Sequence, residues 1–207
     1  MMKAGDVYES PTSRETGVIL VGAGDTEGRF MQSETRIRPG GAVSVEHYHP
    51  TITERFEVLE GELSVRLDGR EEVLRAGESV TVERGQRHRY WNASDADTVF
   101  RFEGWPAARF ETMVLTLFAL GAEGRTNAAG VPRPLQMAVI LDEFSDVMRL
   151  AQLPEWVQRL VIPVLARIGR ARGLRATYPH HEALYEQWQR DARAQRAREG
   201  DVTPAGA

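Results

Sequence analysis

Hydrophobic and polar residues alternate in short runs between residues 15 and 103, and turn-forming residues separate the runs. Successive strand side chains point to opposite faces, so this alternation predicts half-buried β-strands. The runs fall at residues 17–21, 29–38, 42–49, 54–59, 62–67, 71–75, 79–82, 87–92 and 98–103. Between them stand Gly22-Ala23-Gly24-Asp25, Pro39-Gly40-Gly41, Glu60-Gly61, Asp68-Gly69 and Arg84-Gly85. Asp68-Gly69 predicts a two-residue type I′ hairpin, which needs positive φ at both central residues. Many short strands at regular spacing predict an all-β sandwich or barrel. The polar stretch 1–14, with Pro11, predicts an arm or an added edge strand.

After Trp105-Pro106 the period changes. Phe110, Met113, Val114, Leu117 and Phe118 recur at helical spacing in 107–120. A Gly-, Ala- and Pro-rich connector follows, then a second helical pattern over 135–150 with Met137, Ile140, Leu141, Phe144, Val147 and Met148 on one face. Pro154 opens a third helix, 154–172, which Pro163 should kink by removing a backbone donor. A polar helix is expected over 182–199. The chain thus divides into a barrel with its N-terminal arm (1–106), a helical extension (107–200) and a disordered tail (201–207). The extension's apolar stripes must bury against the barrel, each other or a second subunit, and a homodimer is expected. Packing is the favoured role of the extension, and a lid over the barrel the other.

Composition narrows the function classes. The chain has 207 residues, a net charge of −4 and no cysteine. Disulfides, thiolate metal sites and cysteine nucleophiles are therefore excluded. Nothing resembles a DNA-recognition helix, so no nucleic-acid partner is expected. The N-terminus lacks the apolar run of a secretory signal, and a cytoplasmic location is expected. The apolar run 156–165, followed by Arg167, Arg170, Arg172 and Arg175, fits an ordinary helix with cations at its C-terminus. It also fits a membrane-surface helix, the lesser reading. His180-His181, following Tyr178-Pro179, reads as a surface loop without carboxylate company.

The candidate chemistry lies in two segments. His47 and His49, two apart on a strand, point the same way, and Glu54 follows a short Pro50-containing connection. His88 lies 34 residues beyond Glu54. Three imidazoles and a carboxylate suit a divalent first-row metal. The spacing Gly41, His47-x-His49, Glu54, Gly61 resembles the first signature motif of the cupin superfamily. Gly77, Glu83-x-Gly85, His88, Asn92 resembles the second, with Glu83 at the family's proline, so a looser turn is expected there.

The resemblance implies an all-β double-stranded β-helix (a cupin or jelly-roll barrel), here followed by the α-helical C-terminal extension. It also implies one divalent transition metal (Fe, Mn, Ni, Cu or Zn) held by His47, His49, Glu54 and His88. Strand parity with these residues places Val45, Phe56 and Tyr90 around a small organic ligand or substrate with an apolar or aromatic body. Tyr90 is the one inward acid–base group that parity supplies, and is the catalytic candidate. A site with so few acid–base groups favours redox or Lewis-acid chemistry at the metal, and a metal-dependent oxygenase over a metal-independent isomerase. The expected function is a metal-dependent dioxygenase, with a ligand-binding protein or a metal-dependent isomerase or cyclase as the alternatives.

Overall fold

Each isolated strand leaves its main-chain N–H and C=O groups unpartnered until a neighbour arrives, and in this chain the neighbours are antiparallel. The computed structural model of the protein describes residues 2–199; the expected tail, 201–207, lies outside the described residues. The strands are β1 (Val7–Ser10), β2 (Glu15–Val21), β3 (Met31–Ile37), β4 (Ala42–Tyr48), β5 (Thr53–Glu60), β6 (Glu62–Leu67), β7 (Arg70–Arg75), β8 (Ser79–Val82), β9 (His88–Trp91) and β10 (Thr98–Trp105). Four helices follow: α1 (Ala108–Ala122), α2 (Pro134–Glu143), α3 (Glu155–Ala171) and α4 (His180–Glu199). A two-residue strand, β11 (Arg149–Leu150), separates α2 from α3.

Two sheets form the barrel, in the orders β1-β2-β3-β10-β5-β8 and β11-β4-β9-β6-β7. Their inner faces share one apolar core, with Ile19, Ile37, Phe56, Val58 and Phe100 from the first and Leu63 and Val65 from the second. Asp68 and Gly69 have φ of 47° and 85°, the double positive that the tight β6–β7 hairpin requires. At Gly61, φ is 77° and a Cβ would stand 2.8 Å from the Asp97 carbonyl. A side chain there would force the β5–β6 connection away from the strand it crosses.

The helical half is less regular than its apolar spacing predicts. The second helix ends at Glu143 rather than near residue 150, because the chain turns at Phe144. Phe144, Val147 and Met148 are buried by that turn, and Arg149 and Leu150 then pair with Tyr48 and His47 of β4. α3 runs unbroken through Pro163 and buries Ile162 and Ala166. Its outer side leaves Trp156, Leu160 and Val164 exposed. α4 starts at His180 and reaches back to the N-terminal arm: the Gln189 side-chain amide donates to the Val7 carbonyl and accepts from the Val7 N–H. The arm is therefore an edge strand, clamped by a side chain that mimics a further strand. No helix among the described residues is long and apolar enough to cross a membrane.

Candidate metal centre

Three strand ends converge to make the centre. His47 on β4 sits directly opposite His88 on β9, with ring centroids 4.3 Å apart. His49 follows one residue after β4, its ring 4.9 Å from that of His47 and 5.2 Å from that of His88. Glu54, near the start of β5, places one carboxylate oxygen 3.3 Å from His49 Nε2 and the other 2.9 Å from His88 Nε2. All four side chains are buried.

Each ring is oriented from behind by a main-chain carbonyl. The Nδ1 atoms of His47, His49 and His88 lie 2.8, 2.6 and 3.2 Å from the carbonyl oxygens of Val45, Val147 and Gln86. A carbonyl only accepts, so each Nδ1 carries the proton and each Nε2 presents a lone pair to the centre. His49 Nε2, His88 Nε2 and Glu54 Oε2 consequently have no hydrogen-bond partner although buried. Facing lone pairs repel unless a cation lies among them. The donor set thus fits a divalent metal ion, and His47, His49 and His88 could hold one.

The electrostatics favour a neutral His47 and an ionised Glu54, whereas His49 is shifted toward holding a proton. Burial, with the neighbouring imidazoles adding to it, holds the His47 pKa well below the usual histidine value. For Glu54, burial opposes ionisation, but His49 and His88 outweigh it and keep the carboxylate well below its ordinary range. For His49, burial opposes protonation, and the charge and contact of Glu54 outweigh it. A dication beside one carboxylate and three neutral rings leaves a local charge near +1, suited to an anionic substrate oxygen.

The turn carrying His88 is closed by hydrogen bonds from Glu83 itself. Its N–H donates to Gln86 Oε1 at 3.1 Å, a bond that proline could not make, and the Gln86 N–H returns to the Glu83 carbonyl at 3.0 Å. Gly85 completes the turn with φ of 80°, its N–H on the His49 carbonyl at 2.8 Å.

Beside the four groups lies a cavity of about 180 Å³, with largely apolar walls. Val45 and Tyr90 line it. Phe56 does not: it sits one layer behind, with its ring 5.1 Å from that of Tyr90 and 5.5 Å from that of Phe102. Strand parity gives the face of a sheet but not the depth at which a neighbouring ring covers it. The remaining wall comes from the helical half. Phe110, Met113, Leu117 and Phe118 of α1 line the cavity with Met148 and Leu150, so α1 closes the barrel beside the metal centre.

Tyr90 is not the only acid–base group inside the barrel. Glu15, at the start of β2, is 1% exposed and lines the same cavity. Its oxygens lie 2.7 Å from the Tyr90 hydroxyl and 2.6 Å from the Ser13 hydroxyl. Burial raises the pKa of Glu15, against the opposing hydrogen bonds from Ser13 and Tyr90. Ser13 Oγ also stands 2.6 Å from Ser10 Oγ, and one hydroxyl proton cannot serve both contacts. Ser13 and Tyr90 both donate toward the Glu15 carboxyl group. Tyr90 is in turn held well above the usual tyrosine value by burial and by Glu15. The predicted strand began at Gly17; extended by one more alternation, it would have placed Glu15 on the inward face of Ile19.

His180 and His181 open α4 rather than lying in a loop, and they do have carboxylate company. Glu123, at the C-terminal end of α1, faces both.

The matches to known proteins cover the barrel region. The model of the Cupin domain family matches residues 33–102. "Polyketide synthase CurC" of Streptomyces cyaneus is 40% identical over 109 residues, 50% of this chain and 69% of that protein. "Tetracenomycin polyketide synthase protein TcmJ" of Streptomyces glaucescens is 39% identical over 72 residues, 35% of this chain and 48% of its own length. Among solved structures, the polyketide cyclase RemF from Streptomyces resistomycificus is 23% identical with a TM-score of 0.41, covering 51% of this chain and 70% of that one. With two facing antiparallel sheets, both signature motifs in place and a relative matched over most of its length, the chain belongs to the cupin superfamily.

Proposed function

We propose that the protein is a metal-dependent cupin enzyme that moves protons on an apolar, carbonyl-rich molecule of the polyketide kind, closing or isomerising a ring without net oxidation. The observation that carries this reading is the buried Glu15–Tyr90 pair in the wall of the cavity beside the three histidines. The oxygenase expectation rested on Tyr90 being alone there, and Glu15 removes that premise. Similarity to two proteins described as belonging to polyketide synthases supports the substrate class.

A divalent ion held by His47, His49, His88 and Glu54 would supply Lewis-acid polarisation of a substrate carbonyl. The chain's own residues supply the rest. The rings of Phe100, Phe102 and Phe110 and the methionines of the cavity give flat, adaptable surfaces for an aromatic body and keep water from it. The Tyr90 hydroxyl donates to Glu15, so a proton leaving the carbon between two carbonyls passes to Tyr90 as Tyr90's own moves onto the carboxylate. The reverse transfer protonates the carbonyl oxygen that becomes an alcohol when the new carbon–carbon bond forms. One proton leaves a carbon between two carbonyls and one arrives on oxygen, so the balance needs no oxidant. General acid–base assistance of this kind contributes roughly 10²- to 10⁴-fold.

The test offers the metal-loaded protein an aromatic precursor carrying 1,3-dicarbonyl groups, with and without oxygen. Turnover independent of oxygen, giving a product of unchanged mass or one short of water, is expected. Glu15→Gln should lower turnover by about 10²-fold or more and leave metal content unchanged. Oxygen-dependent turnover with oxygen gained in the product would restore the dioxygenase reading. Tight binding without turnover would make the protein a binder.

A further inference from the structure

A second group of metal-ligating side chains joins the two ends of the helical layer. Glu123 caps the C-terminus of α1, and His180 and His181 open α4 after Tyr178-Pro179. Glu123 Oε1 lies 2.7 Å from His180 Nε2 and 3.4 Å from His181 Nε2, and one donor atom from each of the three residues lies within 4.8 Å of the others. The other carboxylate oxygen is taken by Arg125 Nη1 at 3.1 Å, which fixes the carboxylate with Oε1 toward the rings. His181 is 3% exposed, and neither of its ring nitrogens has a hydrogen-bond partner. A buried imidazole without partners is rare, and here one nitrogen is aimed at a carboxylate without hydrogen-bonding it.

We propose that Glu123, His180 and His181 bind a divalent ion of the Zn²⁺ type, with water completing its coordination, and that this ion staples α4 to α1. Two imidazoles and one carboxylate select such an ion over Ca²⁺ or Mg²⁺, which prefer all-oxygen shells. Bonds of about 2.0–2.1 Å at tetrahedral angles separate neighbouring donors by roughly 3.3 Å. The His181–Glu123 pair already has that spacing, and His180, half-exposed, opens slightly to reach it. Burial lowers the proton affinity of His181, which keeps the ring neutral as a ligand must be. Arg125 on the second carboxylate oxygen, itself held by the Tyr178 hydroxyl at 2.8 Å, plays the orienting part that outer-shell partners play around metals.

The staple reaches the cavity from both sides. α1 forms its wall, while α4 clamps β1 through Gln189 and hydrogen-bonds Asp6 through Tyr185. The ion would therefore hold together the layer that covers the barrel, independently of the reaction within it.

Calorimetric titration with Zn²⁺ tests this, using full-length protein carrying His49→Ala and His88→Ala to silence the barrel centre. One Zn²⁺ per chain is expected, with a rise in Tm. Adding His180→Ala, at a half-exposed position where folding is not at stake, should weaken that binding at least tenfold; adding Glu123→Gln should do the same. Absence of Zn²⁺ binding in the barrel-silenced protein, or binding unchanged by both added substitutions, would overturn the proposal. Circular dichroism on each variant confirms that the helices are present.

Discussion

In the barrel, His47, His49 and His88 each give Nδ1 to a main-chain carbonyl, and all three are buried. At the helical rim, His181 is buried with both ring nitrogens unpartnered, and the His180 side chain is 56% exposed. The carboxylates differ in the same sense. Glu54 is kept ionised by two buried rings. Glu123 is only lightly buried, and its pKa is lowered because Arg125 and His180 outweigh what burial adds. One group is fixed before any ion arrives, whereas the other must settle part of its geometry on binding. Preorganisation raises affinity by removing that ordering step, so the barrel should hold its ion far more tightly than the rim.

Removing a barrel ligand is the strongest way to break the contrast. His88→Ala should weaken metal binding at the barrel more than about 100-fold, beyond the range seen for outer-shell partners. His181→Ala should leave barrel occupancy intact. Metal analysis after dialysis against a weak chelator separates the two, and equal losses would show that the centres are not independent.

A smaller effect is expected from the support of the Val147 carbonyl. Arg109 bridges to Asp146 at 2.6 Å and to the Glu143 carbonyl at 2.5 Å, holding the segment that precedes Val147. Arg109→Ala should loosen the orientation of His49 and weaken metal binding by about 10-fold, the low end of the outer-shell range, with the fold retained. Unchanged affinity in a competition titration would mean that the segment is held without it.

The smallest effect concerns how the barrel interior carries an acid. The pKa of Glu15 is raised from 4.5 in the folded chain. Above pH 4.5 the unfolded carboxyl has lost its proton while the folded one retains it. Stability therefore falls as pH rises through the interval between the two values, and levels off above the folded one. Glu15→Gln should remove this decline. Denaturant melts of both proteins across that interval should show the wild type losing stability relative to the variant. Parallel curves would mean that Glu15 ionises normally.

The barrel was legible because its signals are local. Alternation fixed the strands, and the positive φ of Asp68 and Gly69 follows from the residues themselves. His47, His49, Glu54 and His88 carry a spacing that survives without any knowledge of the fold. What escaped was whatever depends on contacts distant in sequence. Phe144, Val147 and Met148 have helical spacing, yet they are buried by a turn that docks on β4, and nothing nearby in the chain announces that strand. Glu15 reads as an ordinary charge at a strand start until its neighbours enclose it. Glu123 lies 57 residues from His180, with no periodicity linking them.

The hydrogen bond from His49 to the Val147 carbonyl makes metal retention a gauge of how well the two halves of the chain are docked. A protein shortened after Trp105 would keep every ligand side chain and still release its ion more readily, because one ring would be free to swing. Likewise, any binding event or substitution that prises residues 144–150 from β4 reaches the candidate metal centre without touching the barrel. The helices can then be remodelled only within the limits that this single carbonyl allows.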